Sequence, residues 1–176
     1  ADFAARASRS IALADGPAAA KRISSWTLQQ LAQRGNGVFQ EFNNSSHDMF
    51  CGGITLMTDG RVMVNGGRNE VASTSVFDWR TNSWTRIQNM NGGRWYNTSV
   101  SLPNGNVFTA TGSGTGLSTT ERWSTAGWSV LTGISWSAVM AGESGYFTHW
   151  HPFVSVAPDG RLLHFGPTDT MHWFNA

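Results

Sequence analysis

The sequence predicts an all-β fold, an incomplete β-propeller, and the main reason is an internal repeat. Three segments share one order of features, at 59–84, 104–128 and 159–174. Each begins with Asp-Gly or Asn-Gly, continues with a short apolar strand and reaches an aromatic-rich strand. A repeat of roughly 45 to 50 residues with four short strands is typical of a propeller blade. An irregular β-sandwich is the alternative.

The dipeptides that open the repeats predict hairpin turns. Asp59, Asn104 and Asp159 are each followed by glycine. In a two-residue hairpin turn both central residues adopt positive φ, and these dipeptides tolerate that conformation. Together with the glycines that follow the second strand, the turns predict blades of the kelch type.

The number of repeats predicts an open ring. Propellers close with about four to eight blades, whereas this chain contains two full repeats and part of a third. We therefore expect roughly three blades over 38–176, truncated at the C-terminus, with the rest of the propeller supplied by sequence outside this chain. Residues 1–37 are predicted to be an irregular N-terminal segment, in which 24–35 fits either a short helix or an alternating strand.

The composition narrows the class of partner. The net charge is +1, only 13% of residues are charged and no block of Lys or Arg occurs. Neither nucleic acid nor an anionic membrane is therefore predicted as a partner. No apolar run is long enough to predict a membrane span. A small molecule is the expected partner, and the Trp-rich, Gly-rich composition favours an extracellular type of β protein.

Cys51 is the only cysteine in the chain, which excludes an internal disulfide. A free cysteine is usually a small, packed core residue. This one directly precedes a predicted inner strand of a blade, at a position where propeller loops line the channel. The position makes Cys51 a candidate site residue.

Three segments together carry a resemblance to a known family. They read HDMFCGGITLMTDGRVMVNGG at 47–67, MNGGRWYNTSVSLPNGNVFTATGS at 90–113 and GRLLHFGPTDTMHWF at 160–174. With these segments the chain resembles the copper radical oxidases, the family of galactose oxidase and glyoxal oxidase. The F-C-x-G segment and the R-x-Y segment followed by a strand are its most specific parts.

The resemblance implies a cofactor made from two side chains and copper. In that family a cysteine is joined by a thioether bond to a tyrosine, which binds copper and carries a radical; the matching residues are Cys51 and Tyr96. Copper and the radical each store one electron, so the pair removes two electrons from a primary alcohol or an aldehyde hydrate and passes them to O2, giving hydrogen peroxide. The resemblance also implies a secreted protein.

Near the implied cofactor the sequence departs from galactose oxidase. In galactose oxidase an indole stacks on the thioether, and Gly114 stands at the matching position here. Trp95 is the candidate replacement, although neighbours on a strand point to opposite faces. Phe147 stands where a sugar-contacting arginine is found, and it offers only an apolar face. Gly53 follows Gly52 in place of a Pro-Gly pair, which leaves that loop more flexible.

These departures imply a small aldehyde or a non-sugar alcohol as substrate, as in glyoxal oxidase more than galactose oxidase. The candidate pocket residues are Phe50, Trp95 and Phe147. The remaining copper ligands of the family correspond to positions beyond residue 176, so Tyr96 is the one implied metal ligand. The chain alone is therefore expected neither to hold copper tightly nor to turn over.

The other polar candidates have simpler interpretations. His149 and His151 lie two residues apart and would share a face on a strand, but no third ligand is near in sequence, which favours structural histidines. His47 and Asp48 are predicted to hydrogen-bond to local backbone.

Two classes of function follow. The first is a piece of a copper radical oxidase, which rests on Cys51 and Tyr96. The second is a non-catalytic kelch propeller that binds a glycan or a protein partner. A narrower third possibility is an oxidase that keeps the thioether but has lost its substrate pocket.

Overall fold

The computed structural model describes residues 41–116, 118–139, 149–166 and 169–175. Apart from Glu41, these residues belong to one structural unit, Phe42–Ala176. The predictions made for residues 1–37 concern residues outside the described set, so the domain boundary stays a prediction.

The described strands form three antiparallel sheets, two of four strands and one of three. The first contains β1 (Gly53–Leu56), β2 (Val62–Asn65), β3 (Thr74–Asp78) and β4 (Ser83–Ile87). The second contains β5 (Thr98–Ser101), β6 (Val107–Ala110), β7 (Thr120–Ser124) and β8 (Gly127–Leu131). The third contains β9 (Val154–Val156), β10 (Leu162–His164) and β11 (His172–Phe174), and one helical turn, α1 (Trp136–Val139), precedes it. The predicted incomplete propeller of roughly three blades is confirmed.

The first strand of each sheet is the inner strand of its blade. Within a sheet the strands follow chain order, and β1 contacts β5 as β5 contacts β9. Side chains join the first two inner strands directly: Thr55 Oγ1 lies 3.2 Å from Ser101 Oγ, which donates to the carbonyl of Leu56 at 2.6 Å. The three inner strands therefore run side by side, and their N-terminal ends meet at one place, here called the mouth.

Apolar side chains fill the space between neighbouring blades. The first core contains Met57, Met63, Val76, Met90, Val107 and Trp128. The second contains Leu102, Phe108, Ala110, Trp136 and Leu162. On β1, by contrast, Ile54 and Leu56 are 64% and 65% exposed, as expected for a sheet face that a further blade would cover in a closed ring.

The turns between the first two strands of each blade differ from the prediction in their type. Around Asp59 the N–H of Met57 donates to Arg61 O at 2.7 Å, and the N–H of Gly60 donates to Met57 O at 2.9 Å. Among the three residues between Met57 and Arg61, only Gly60 has positive φ, at 84°. The loop therefore has three residues and not two. Asp59 Oδ1 accepts from the N–H of Arg61 at 3.1 Å, which explains why an acidic or amide residue precedes each glycine. The other two blades repeat these bonds.

The sequence predicted that His47 binds local backbone. Its ring instead joins β3 to the residue that follows β2 in the first blade. Its Nδ1 lies 2.9 Å from Ser75 Oγ and its Nε2 lies 2.7 Å from Gly66 O. The carbonyl can only accept, so Nε2 carries a proton; with its pKa lowered the ring is neutral at neutral pH, and Nδ1 then accepts from the hydroxyl. Burial lowers the pKa of His47, and the charge of Arg86 lowers it further.

The buried His47 makes the fold sensitive to acid. Because the folded pKa is depressed, the unfolded chain binds more protons below its own histidine pKa of about 6.5, and the free energy of unfolding falls as the pH drops through that value. Burial and the neighbouring His172 lower the pKa of His164 in the same direction. We expect each histidine to add a slope of at most about 1.4 kcal/mol per pH unit. Urea denaturation at several pH values from 7.5 to 5 measures how the free energy of unfolding changes with pH. This dependence should be weaker in His47→Gln than in the wild type, and an unchanged dependence would contradict the neutral, buried state of His47.

Candidate active site at the mouth of the inner strands

Each of the three blades places an aromatic residue and a left-handed residue at the mouth. These mouth pairs are Phe50–Cys51, Trp95–Tyr96 and Trp150–His151. The second members have φ values of 55° at Cys51, 64° at Tyr96 and 44° at His151. Such values are uncommon outside glycine and cluster at functional sites.

Backbone hydrogen bonds join the mouth pairs from blade to blade. The N–H of Tyr96 donates to the carbonyl of Cys51 at 2.9 Å, and the N–H of His151 donates to the carbonyl of Tyr96 at 2.7 Å. A turn closed by the bond from Gly52 N to Met49 O, at 3.0 Å, sets the conformation of Cys51. The left-handed residues are therefore held in fixed order around the mouth.

The structure places Cys51 beside Tyr96, with their backbones hydrogen-bonded. Burial raises the pKa of the Tyr96 phenol, and its interaction with the neighbouring Cys51 side chain raises that pKa further. The phenol is therefore protonated at neutral pH unless a cation offsets these effects. Two residues about 45 positions apart in sequence are thus neighbours at the mouth.

Two indoles stack on the Tyr96 ring. The Trp95 ring lies 4.6 Å from it, centroid to centroid, with an interplanar angle of 26°. The Trp150 ring lies 4.2 Å from it at 14°. The argument from strand alternation against Trp95 does not apply, because Tyr96 has a left-handed backbone and not an extended one.

The structure also explains why no indole can come from position 114. Gly114 has a φ of +100°, and a Cβ added there would lie 2.6 Å from the carbonyl oxygen of Gly93. Trp150 is the stacking residue that sequence reasoning missed. Alignment of the repeats at their inner strands could have found it, because Phe50, Trp95 and Trp150 occupy equivalent positions.

Phe50 and Trp95 form the exposed edge of this aromatic group. Phe50 is 51% exposed, its ring centroid lies 6.3 Å from that of Trp95, and its carbonyl accepts from Trp95 Nε1 at 3.0 Å. The guanidinium carbon of Arg68 lies 4.9 Å from the Phe50 ring centroid, and Arg68 Nε lies 3.3 Å from Asp48 Oδ2. Asp48 also accepts from local backbone, at Phe50 N, as predicted. Phe147, the third predicted pocket residue, lies outside the described residues.

The two histidines around Trp150 have separate roles in the structure. His151 meets the edge of the Tyr96 ring at 5.6 Å and 84°, and its Nδ1 lies 3.2 Å from Asn97 O. The backbone of His149 accepts from Gly112 N at 3.0 Å. In the part of the chain that the structure describes, no group of three or more His, Cys, Asp or Glu side chains could hold a metal ion.

A fully buried ion pair anchors the segment that carries Trp95 and Tyr96. Arg94 Nη2 lies 3.1 Å from Glu121 Oε1, and both side chains have no exposed surface. The Glu121 carboxylate also accepts from the N–H groups of Asn91 at 2.7 Å and Gly92 at 3.1 Å. The loop after β4 is thereby fixed to β7 of the next blade. Sequence reasoning missed this pair, since a single Glu inside a β-strand does not indicate burial.

Known proteins resemble this chain in sequence and fold, and the match covers only part of each of them. Two curated galactose oxidases from Gibberella zeae are 28% identical to this chain over 137 residues, which is 74% of this chain and 20% of each relative. A solved fungal alcohol oxidase, described as having catalytic diversity among the AA5 family and in complex with copper, superposes with a TM-score of 0.66 at 33% identity. That match covers 72% of this chain and 27% of the alcohol oxidase. The chain thus spans about a fifth of the length of the curated relatives.

No protein-family model matches the chain. Among the described residues, no helix is long and apolar enough to cross a membrane.

Proposed function

We propose that this chain carries the cysteine–tyrosine half of a copper-radical active site. Its sequence and fold group it with the copper radical oxidases. The whole protein would oxidise an aldehyde or a primary alcohol with O2. The observation that carries this proposal is the contact between Cys51 and Tyr96 at the mouth, where their backbones are joined at 2.9 Å. A cysteine placed only for packing has no need of a tyrosine from the next blade.

The donor chemistry at the mouth fits copper in part. A deprotonated phenol is an oxygen ligand suited to Cu(II), and the bound metal would supply a one-electron acceptor beside the ring. Tyr96 is the one candidate ligand that we assign among the described residues, so other parts of the protein would have to supply the rest. Because the pKa of the Tyr96 phenol is raised, copper binding through Tyr96 would release a proton and would strengthen as the pH rises.

The covalent step would use atoms of the two side chains and O2. The Sγ–H bond of Cys51 and one ring C–H bond ortho to the Tyr96 hydroxyl break, and a C–S bond forms. Two protons and two electrons leave the pair and reduce O2 to hydrogen peroxide. The thioether removes the thiol, and with it the interaction with Cys51 that raises the Tyr96 pKa.

Substrate oxidation would follow the same electron count. An alcohol RCH2OH loses two hydrogens to give RCHO, and O2 takes up two electrons and two protons to give hydrogen peroxide. Tyr96 accepts and returns one of the two electrons, and the stacked indoles of Trp95 and Trp150 shield its ring from water.

The aromatic edge of the mouth favours small or weakly polar substrates. Phe50 and Trp95 present apolar rings there, and Phe147 corresponds to the family's sugar-contacting arginine. We therefore place the activity nearer to that of a glyoxal oxidase than of a galactose-specific enzyme, and we expect a secreted protein.

The test is the mass of the peptides that contain Cys51 and Tyr96. The full-length protein, purified without copper, is given Cu(II) and air and then digested. The expected product is one cross-linked species about two hydrogens lighter than the sum of the two peptides. Cys51→Ser should yield the two separate peptides under the same treatment. Separate peptides from the wild-type protein would overturn the proposal and favour the non-catalytic propeller.

Replacement of Trp150 is expected to destabilise the oxidised form of Tyr96. A stacked aromatic pair contributes about 0.5–1.5 kcal/mol, so Trp150→Leu should shorten the lifetime of the oxidised ring by roughly two- to tenfold. The measurement is the decay of the tyrosyl EPR signal after one-electron oxidation of cross-linked, metal-free protein. Trp123→Leu, at an indole of the second blade that packs against the first core, is the control. Equal lifetimes in wild type and Trp150→Leu would contradict the assigned role.

A further inference from the structure

Asn97 connects the segments that carry the two members of the proposed cofactor. It follows Tyr96 directly and has no exposed surface. Its Oδ1 accepts from the N–H of Gly53, two residues after Cys51, at 3.1 Å. Its backbone carbonyl lies 3.2 Å from His151 Nδ1. One residue therefore contacts all three segments that meet at the mouth.

The orientation of the Asn97 amide is set by a buried polar network. Its Nδ2 donates to Thr109 Oγ1 at 3.0 Å, and Asn65 Nδ2 reaches the same oxygen at 3.1 Å. Thr109 Oγ1 in turn donates to Thr98 O at 2.9 Å, so it can act only as an acceptor toward the amides. With Nδ2 committed to Thr109, Oδ1 is the atom that accepts from the N–H of Gly53.

The contact between Asn97 and Gly53 is also sterically tight. A Cβ added to Gly53 would lie 2.5 Å from Asn97 Nδ2 and 2.6 Å from Ser99 Oγ. The amide thus fills the space against a backbone that has no side chain. This contact limits both the distance and the direction between β1 and the start of β5.

We propose that Asn97 is a positioning residue for the Cys51–Tyr96 cross-link, an inference that rests on the proposed function. Its side chain joins the Cys51 segment to the Tyr96 segment through Gly53, in addition to the backbone bond between Cys51 and Tyr96. Formation of a C–S bond requires the sulfur to stay within reach of one ring carbon. Because misplacement by about 1 Å can slow a reaction roughly 100-fold, this second attachment determines how fast the bond forms.

The test compares two asparagines in the same buried network. Asn65, like Asn97, is fully buried and bonds to Thr109. Its Oδ1 accepts from Ser99 Oγ at 2.6 Å and not from the turn that holds Cys51. Asn65→Ala therefore matches Asn97→Ala in burial and in lost polar contacts, but it leaves the attachment to Gly53 in place.

The readout is the rate of cross-linking per folded molecule. Full-length wild type and both variants, prepared without copper, are checked for folding by thermal melting and then given Cu(II) and air. We expect Asn97→Ala to form the cross-link at least about tenfold more slowly than Asn65→Ala at a similar loss of thermal stability. Should Asn97→Ala fail to fold, Asn97→Ser gives the same comparison, because its hydroxyl is too short to span to Gly53 N.

A variant that keeps the acceptor should keep the rate. Asn97→Asp retains an oxygen facing Gly53 N, so its rate is expected to lie closer to wild type than to Asn97→Ala. Equal rates in Asn97→Ala and Asn65→Ala, with a wild type that cross-links, would overturn the positioning role alone. A wild type that never cross-links would overturn the proposed function.

Discussion

Replacement of Glu121 by alanine is expected to lower the free energy of unfolding by about 3–5 kcal/mol. The variant leaves the Arg94 guanidinium charged in a site with no exposed surface, and it removes the acceptor of the Asn91 and Gly92 N–H groups. Unpaired buried groups cannot be compensated by water. Urea denaturation of the wild type and the variant measures the difference.

The matched control is an ion pair on the surface. Arg61 Nε lies 2.7 Å from Asp59 Oδ2, and both side chains are partly exposed. Arg61→Ala should therefore lower the free energy of unfolding by less than about 1 kcal/mol. Similar losses in Glu121→Ala and Arg61→Ala would show that the buried pair does not anchor the loop after β4.

Tyr96→Phe is expected to reduce peroxide production by at least about a thousandfold, because groups that act as one catalytic unit fail together. The variant keeps the ring and its two stacked indoles but loses the phenol oxygen. That oxygen is both the proposed copper ligand and the group that makes the ring oxidisable. Peroxide release is measured on a panel of aldehydes and primary alcohols with the full-length, copper-loaded protein.

Tyr146→Phe makes the same chemical change at the only other tyrosine of the chain. It should keep most of the activity. Peroxide production by Tyr96→Phe at the wild-type rate would exclude Tyr96 as the site of the radical and would overturn the proposed role of the Cys51–Tyr96 pair.

The repeats carried most of the information about the fold. Asp-Gly and Asn-Gly fix the place of each hairpin, so the inner strands could be located from the sequence. The type of turn could not, because the same dipeptides suit two loop lengths, and the bond from Met57 N to Arg61 O selects the longer one. His47 shows a similar limit, since its partners lie 19 and 28 residues away.

For the candidate site, the sequence named the two residues of the proposed cofactor but not their surroundings. Cys51 and Tyr96 follow from motifs, whereas the stacking of Trp95 and Trp150 depends on a left-handed backbone at Tyr96. Side-chain alternation holds only for extended strands, so it gave the wrong direction for Trp95. The roles of Asn97 and Glu121 depend on burial and on partners in other strands, which no local pattern encodes.

The backbone bond from Tyr96 N to Cys51 O lies across the joint between the first two blades. A carbon–sulfur bond at this joint would close a loop of about 45 residues. In the chain-entropy model, a cross-link of that span removes enough freedom from the unfolded chain to stabilise the fold by about 4 kcal/mol. The cofactor would then also fasten two blades together, and a protein that had not yet matured would be both inactive and easier to unfold.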